Sequence, residues 1–261
     1  MKLMMYQIDA FAERVFEGNP AAVCPLQTWL PAATLQAIAG ENNLSETAYF
    51  VPEANGFRLR WFTPAVEVDL CGHATLASAF VLYEHLGYAQ PEIRFFTRSG
   101  VLTAAKAANG FSMVFPASMP VACATPPALT AALGKAPRQT LAASNYVAVY
   151  DSEEEIRALT PDFGKFHALD LHGVVVTAPG RNVDFVSRFF APKFGVNEDP
   201  VTGSAHCQLT PYWAERLGRT VLKAKQLSRR GGSLTCELQG KQVVLIGSAV
   251  HYMTAEITIP V

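Results

Sequence analysis

Two pairs of short motifs decide the fold of this chain: RWFTP at 60–64 with CGHATL at 71–76, and RFFAP at 188–192 with TGSAHC at 202–207. The first motif returns after 128 residues and the second after 131, close to half of the 261-residue chain. A further match, EHLG at 84–87 and ERLG at 215–218, keeps the offset of 131. Similarity at a nearly fixed spacing predicts two halves that follow the same chain path.

Secondary-structure signals follow the same order in both copies. Alternating apolar runs at 46–51 and 57–62, and again at 174–177 and 183–190, predict antiparallel strands. A helix follows at 72–86 and at 203–217, and each ends before a glycine suited to the left-handed position that closes a helix. Shorter helices are predicted at 32–38 and 152–159. Further strands are predicted at 93–97, 100–106, 111–115, 234–239, 242–246 and 251–259.

The helix predicted after CGHATL is apolar on nearly every side up to Glu84, so we expect a sheet to wrap around it. The predicted fold is therefore α+β, with two pseudo-symmetric halves that each wrap a curved mixed or antiparallel sheet around a central helix. A stretch with four prolines at 116–127 is the best linker. A boundary in this stretch predicts an N-terminal domain at 1–118, which the C-terminal strand could complete, and a C-terminal domain at 119–261. The cleft between them is the expected site.

Composition excludes several classes of function. The chain has 21 Lys and Arg against 22 Asp and Glu, so no basic surface is available for nucleic acid. Five cysteines without Cys-x-x-Cys spacing, no long apolar run and no signal-peptide core predict a cytoplasmic protein that does not enter membranes. Dinucleotide and phosphate-loop motifs are absent, and the six histidines lack metal-ligand spacing. We therefore expect neither a cofactor nor a metal.

Five motifs resemble those of one known family and occur in its order. They are GNPAAV at 18–23, SETA at 45–48, RWFTP at 60–64, CGHAT at 71–75 and EDPVTGSA at 198–205. They resemble the PhzF family of phenazine-biosynthesis-like isomerases over nearly the whole chain. The resemblance implies a fold like that of diaminopimelate epimerase, a homodimer, and cofactor-independent isomerisation of a small, cyclic, amino-substituted carboxylic acid.

The resemblance also implies roles for individual residues. Glu46 takes the position of the acid/base that shuttles a proton. The predicted catalytic residues are Glu46, His73, Asp199 and Ser204, and the predicted substrate-binding residues are Asn19, Gly72, His73, Asp199, Gly203 and Ser204.

Physical arguments support these roles without requiring them. Helix starts at Gly72 and Gly203 offer unpaired N–H groups and the positive dipole end to a carboxylate. The position equivalent to Glu46 in the other copy is Gly173, so one group would remove and return the proton. At a helix start, His73 is expected to stay neutral. Each residue also has a structural alternative. Glu46 could face solvent, His73 could be a hydrogen-bonded core histidine, and Asp199 and Ser204 could cap the backbone at the second helix start.

Two other functions stay open at this point. Cofactor-independent racemases and epimerases of this architecture use one thiol at each helix start. Here Cys71 occupies the first start but Thr202 the second, whose hydroxyl lacks useful acidity, so we disfavour that mechanism. A non-catalytic binder of small acids is the other alternative. The presence of Glu46 disfavours a non-catalytic binder, because its carboxylate would repel an acidic ligand.

Overall fold

The computed structural model describes residues 1–259, which form two compact units. The first unit comprises Met1–Val114 together with the C-terminal segment that begins at Ile246, and the second comprises Phe115–Leu245. Within residues 1–259, no helix has the length and apolar character that crossing a membrane requires.

Strands and helices alternate along the chain. The strands are β1 (Lys2–Ala10), β2 (Asn19–Pro25), β3 (Glu46–Glu53), β4 (Gly56–Phe62), β5 (Glu67–Val68), β6 (Glu92–Thr97), β7 (Gly100–Ala107), β8 (Gly110–Pro116), β9 (Val121–Ala122), β10 (Gln139–Ala142), β11 (Tyr146–Val149), β12 (Val174–Pro179), β13 (Phe185–Ala191), β14 (Val196–Asp199), β15 (Val221–Gln226), β16 (Gly232–Gln239), β17 (Gln242–Gly247) and β18 (Ala249–Thr258). The helices are α1 (Ala32–Asn42), α2 (Gly72–Phe80), α3 (Pro127–Leu133), α4 (Glu153–Ala158) and α5 (Gly203–Leu217).

The first unit is built on a mixed sheet. Strand β1 lies between β18 and β2 and is antiparallel to both. Strand β2 pairs in parallel with β3, and β3 pairs antiparallel with β4. Strand β4 then borders the short antiparallel β5 and the parallel β6, from which β7 and β8 continue as an antiparallel meander.

The second unit repeats this pairing order. Strands β9, β10 and β11 are antiparallel, β11 pairs in parallel with β12, and β12 pairs antiparallel with β13. Strand β13 borders the short antiparallel β14 and the parallel β15, which continues into β16. The register agrees as well, since Thr47 lies opposite Phe62 and Val174 lies opposite Phe190. The sequence repeat is therefore a structural repeat, and Glu46 and Gly173 are equivalent positions.

The two long helices are buried in their units, as their sequences predict. All residues of α2 from His73 to Ala79 are buried, as are those of α5 from Ala205 to Ala214. Both helices begin at the predicted glycine, and α5 ends at Leu217 as expected, with Gly218 in the left-handed region at φ 64°. The first helix differs from the prediction, because a π-helical turn at Val81–His85 replaces its last α-helical turn.

Shorter helices cover the outer faces of the sheets. In the first unit, Leu35 and Ile38 of α1 share a core with Cys24, Tyr49 and Phe62. Tyr49 and Val51 of β3 therefore lie beneath α1, and the even-numbered residues of this strand point to the opposite face. In the second unit, α3 and α4 cover β11, β12 and β13 in the same manner.

Two local predictions are refined by the structure. The helix predicted at 152–159 is the shorter α4, which Ser152 caps with its hydroxyl accepting the N–H of Glu155 at 3.3 Å, while the carboxylate of Glu155 accepts the N–H of Asp151. The proline-rich stretch at 116–127 is not irregular throughout, because Val121–Ala122 forms β9 and pairs with β10.

Candidate active site

Glu46 is the first residue of β3 and points to the face of the sheet away from α1. Because side chains alternate along a strand, Glu46 shares this face with Ala48, while Tyr49 lies in the core beneath α1. Its side chain is 17 % exposed, and its Oε2 lies 3.1 Å from Nε2 of His73. The structure thus brings together the two residues of the first unit that the sequence analysis places in proton transfer.

The start of α2 supplies the residues that face Glu46. Cys71 occupies the N-cap position with extended backbone angles, and its side chain makes no capping hydrogen bond. Gly72 and His73 form the first turn, whose N–H groups have no acceptors within the helix. The imidazole of His73 is buried next to the thiol, with Nδ1 lying 3.5 Å from Sγ of Cys71.

Asn19, at the start of β2, completes the surroundings of His73. Its Nδ2 lies 3.2 Å from Nδ1 of the ring, and both side chains are buried. With the amide in this orientation, Nδ1 accepts a hydrogen bond, so the ring proton sits on Nε2 and faces Glu46. Turning the amide over by about 180° would present its oxygen to Nδ1 and let the ring carry a second proton.

The electrostatics of His73 differ from our expectation. Burial alone lowers the pKa of the imidazole, but the neighbouring Cys71 and Glu46 together raise it well above its usual value. We expected the helix start to keep His73 neutral. The structure gives the opposite direction, because the carboxylate of Glu46 lies in direct contact with the ring.

The thiol of Cys71 is poorly suited to proton transfer. Burial, with a further contribution from the charge of Glu46, raises the pKa of this thiol to about 11, although His73 acts in the opposite direction. The thiol is therefore protonated at neutral pH, and the thiolate is the form that reacts. This supports the sequence argument against a two-thiol mechanism.

In the second unit, Asp199 and the start of α5 are held by one buried side chain. Asp199 ends β14, and the hydroxyl of Thr202, the N-cap residue of α5, donates to its carboxylate. Gln226, fully buried at the end of β15, donates from Nε2 to the carbonyl of Asp199 at 2.7 Å and to Oγ1 of Thr202 at 3.1 Å. Its Oε1 accepts the N–H of Thr202 at 2.9 Å. Gln226 thereby fixes the segment that carries Asp199.

The first turn of α5 carries the two remaining predicted site residues. Gly203 is buried, whereas Ser204 is exposed. One turn further along, the Nδ1–H of His206 donates to the carbonyl of Thr202 at 2.8 Å. Burial lowers the pKa of His206 to about 4, so this ring is neutral, and its hydrogen bond to Thr202 stabilises the helix start without adding charge.

A duplicated ion pair precedes each helix start. Arg60 makes a bidentate contact with Glu67 at 2.7 and 2.8 Å, and Arg188 makes the same contact with Glu198 at 2.7 and 3.0 Å. All four side chains are mostly buried. The pairs occupy equivalent positions in the repeat and fix β5 and β14, the short strands that lead into α2 and α5. Glu198 lies directly before Asp199, so its ion pair also sets the position of that carboxylate.

Gly173 occupies the position in the second unit that is equivalent to Glu46. A Cβ atom at this position would lie 2.3 Å from Oδ1 of Asn145 and 2.6 Å from Cζ of Phe189. Real Cβ atoms do not approach other atoms so closely, so any side chain here would require Asn145 and Phe189 to move. In the present packing, the position equivalent to Glu46 is therefore filled by these two side chains.

A separate groove lies at the other end of α5. Its volume is about 530 Å³, and Met119, Glu215, Arg219 and Lys241 are among its lining residues. It contains none of the predicted site residues, and most of its lining comes from the C-terminal end of the helix and from β16 and its turn. The chemistry described above lies at the helix starts, so we do not assign the substrate to this groove.

Comparison with known proteins identifies the family. The model of the phenazine biosynthesis-like proteins, PhzC-PhzF, matches residues 8–255. The chain belongs to this family. Among curated PhzF relatives, an uncharacterized isomerase of Pseudomonas aeruginosa is 54 % identical over 97 % of this chain and 98 % of its own length. A crystal structure of a PhzF-family protein from Enterococcus faecalis is 48 % identical, with a TM-score of 0.97 over 99 % of this chain and all of that one.

The PhzF fold extends to more distant proteins. A structure of a predicted epimerase from Pseudomonas aeruginosa, 23 % identical, superposes with a TM-score of 0.77 over 99 % of this chain and all of that one. At this identity the likeness concerns the fold alone. The α+β, epimerase-like fold predicted from the sequence is confirmed, as is the resemblance to the PhzF family.

Two features of this PhzF site were not predicted from the sequence. Gln226 lies at the end of the run VLKAKQ, and its role depends on contacts with residues 24 and 27 positions earlier in the chain. The approach of Cys71 to His73 was also missed, since the sequence analysis considered Cys71 only as one half of a two-thiol pair. The sequence signal for the role of Gln226 is its place in the alternating run VLKAKQ, where it falls on the same face as the buried Leu222 and Ala224.

Proposed function

We propose that this protein is a cofactor-independent isomerase that moves a proton within a small carboxylic acid. Two curated relatives, 54 % and 49 % identical to this chain, are named uncharacterized isomerases, and the chain shares the PhzF family with them. The observation that carries the proposal is the contact between Glu46 and His73. A carboxylate at the edge of a buried site, 3.1 Å from an imidazole nitrogen, can take up a proton and be held in both protonation states.

The proposed reaction uses Glu46 twice. Its carboxylate takes a proton from one carbon of the substrate, and the electron pair left behind shifts along the conjugated system toward the substrate's acidic group. The protonated Glu46 then returns the proton at another carbon on the same face, so no atom is gained or lost. His73 donates from Nε2 to the carboxylate or to the substrate oxygen on which charge develops.

Substrate binding is assigned to the helix starts. The N–H groups at Gly72 in one unit and Gly203 in the other favour an anionic group such as a carboxylate. Asp199 would accept a hydrogen bond from a substrate amino or hydroxyl group, and Ser204 would contribute its exposed hydroxyl. The role of Asn19 is to orient His73 as well as to contact substrate. A cyclic, amino-substituted acid and a homodimeric state are further proposals that rest on the PhzF resemblance, and a cytoplasmic location is one that rests on the cysteine pattern.

A two-step experiment tests this function. Cyclic and amino-substituted carboxylic acids are first screened for stabilisation of the protein against heat, since a ligand that binds the folded state raises the melting temperature. Each acid that binds is then incubated with the protein in D2O and followed by proton NMR. We expect deuterium to enter the substrate at two carbons without change of configuration. Binding without any exchange would instead identify a non-catalytic acid-binding protein, and inversion at one carbon would identify an epimerase.

An Asp199→Ala variant tests whether Asp199 positions the substrate. Because Asp199 is proposed to position the substrate, its loss should weaken binding and also slow exchange. An Asp151→Ala variant is a suitable control, since Asp151 is an exposed carboxylate of the same unit. If Asp199→Ala bound and exchanged like the wild type, the proposed contact between Asp199 and the substrate would be wrong.

A further inference from the structure

We infer that the proposed acid/base site also binds a thiophilic divalent cation such as Zn²⁺ through Glu46, Cys71 and His73. One donor atom from each of these side chains lies within 4.8 Å of the others. The three donors are a carboxylate oxygen, a sulfur and an imidazole nitrogen, which together form a typical ligand set for zinc. Cys71 and His73 are buried, and Glu46 is half-buried at the edge of the cluster.

The three donor atoms lie close together, and a rotation of the Cys71 side chain would bring them around one ion. Zinc lies about 2.3 Å from sulfur and about 2.0–2.2 Å from nitrogen or oxygen, so its ligands are about 3.3–3.6 Å apart in a tetrahedron. Sγ of Cys71 lies 4.0 Å from Nε2 of His73 and 3.5 Å from Nδ1, whereas Oε2 of Glu46 lies 3.1 Å from Nε2. Because the sulfur is nearer to Nδ1, the side chain of Cys71 must turn toward Glu46 before both can reach an ion bound at Nε2.

The supports of these three side chains fit the inferred site. Cys71 and His73 belong to one helix start, so the packing of α2 fixes the backbone positions of two of the ligands. The amide of Asn19 lies 3.2 Å from Nδ1 of His73 and can turn its oxygen toward that nitrogen, as outer partners of metal-bound histidines do. Glu46 begins a strand and keeps some contact with water, which gives the ion a path of entry and leaves a fourth position for water.

Charge also favours a divalent ion over a monovalent one. A thiolate and a carboxylate together carry two negative charges, and a divalent cation brings the site to neutrality. Because burial and Glu46 keep the thiol protonated in the absence of metal, binding of the ion would release the thiol proton. The sulfur and nitrogen donors select zinc, cobalt or cadmium and disfavour magnesium and calcium, which prefer oxygen ligands.

Metal binding at this site would inhibit the proposed isomerase activity. The ion would occupy the carboxylate of Glu46, so substrate and metal would exclude each other. This consequence rests on the proposed function, whereas metal binding itself does not. The two statements can therefore fail separately.

Cobalt provides a direct probe of the site. Untagged protein, freed of metal with a chelator, is titrated with Co²⁺, and the absorption bands of cobalt bound to sulfur are recorded. We expect one equivalent to bind with a thiolate-to-cobalt band, Zn²⁺ to displace it, and Mg²⁺ and Ca²⁺ to leave it unchanged. A Cys71→Ser variant should lose the band and weaken binding by more than the roughly 10–100-fold effect of losing an outer partner.

Matched variants decide where the metal lies. Cys123→Ser removes an exposed thiol of the other unit and should keep the band. Glu46→Gln, which keeps the thiol and side-chain shape, should weaken cobalt binding while retaining sulfur-to-cobalt absorption. Circular dichroism confirms that each variant is folded. No cobalt band in the wild type, or a band that persists in Cys71→Ser, would overturn the inference. Tight binding that leaves deuterium exchange unaffected would support the metal site and contradict the proposed role of Glu46.

Discussion

Acid should destabilise the second unit through His206. This ring is 0 % exposed, and burial lowers its pKa to about 4, against about 6.5 for an unfolded histidine. Since the unfolded chain takes up the proton first, the stability present above pH 6.5 is lost progressively as the pH falls toward 4. Each pKa unit corresponds to about 1.36 kcal/mol, so the full loss is about 3 kcal/mol, of which about 2 kcal/mol is reached at pH 5.

Urea denaturation at pH 7 and pH 5, followed by circular dichroism, measures this loss. A His206→Gln variant can still donate a hydrogen bond to the carbonyl of Thr202 but cannot titrate. Its free energy of unfolding should therefore change between the two pH values by about 2 kcal/mol less than that of the wild type. His167→Gln, at an exposed position, should change as the wild type does. If His206→Gln and the wild type lost the same stability at pH 5, the burial argument for His206 would be wrong.

Three further predictions concern packing and the supports of the site. Gly173→Ala should lower the unfolding free energy by about 1–3 kcal/mol, because the new Cβ has no space, and a melting curve would detect it. Gln226→Leu should lower the unfolding free energy by about 2–4 kcal/mol and speed hydrogen exchange at the amide of Thr202, because this amide and the carbonyl of Asp199 lose their partner. Unchanged exchange at Thr202 would show that Gln226 does not hold this segment. Arg188→Met should cost about 2–4 kcal/mol in urea denaturation, and the double variant with Glu198→Met should recover part of it; no recovery would contradict the ion-pair argument.

The repeat made much of the fold predictable. Glycines at 72 and 203 are the first residues of the two long helices, as their motifs predict, and the offsets of the motifs correspond to the register of the strand pairs in both units. Strand β1 (Lys2–Ala10) was missed because Lys2, Gln7 and Asp9 make its sequence read as polar. The buried Asp9 accepts the N–H of Phe16, so this carboxylate is satisfied inside the unit in a way that hydrophobic periodicity does not reveal.

The candidate site was predictable in its residue types but not in its contacts. The resemblance to the PhzF family pointed to Glu46 and His73, and the structure places them in contact. The direction of the His73 pKa was not predictable from the helix start alone, because it depends on a carboxylate 27 residues earlier in the chain. For the same reason, the role of Gln226 appears only once β15 is paired with β13.

The central claim is that Glu46 carries the proton. Its most direct test is solvent deuterium exchange into a bound acid, compared between the wild type, Glu46→Gln and the exposed control Glu41→Gln. General acid–base catalysis is worth about 10²–10⁴-fold, and one group that performs both steps should contribute at least this much. We expect Glu46→Gln to lose exchange by this factor or more while its affinity for the acid stays the same or improves, and Glu41→Gln to match the wild type. Exchange by Glu46→Gln at a rate near that of the wild type would contradict the proton-shuttle mechanism.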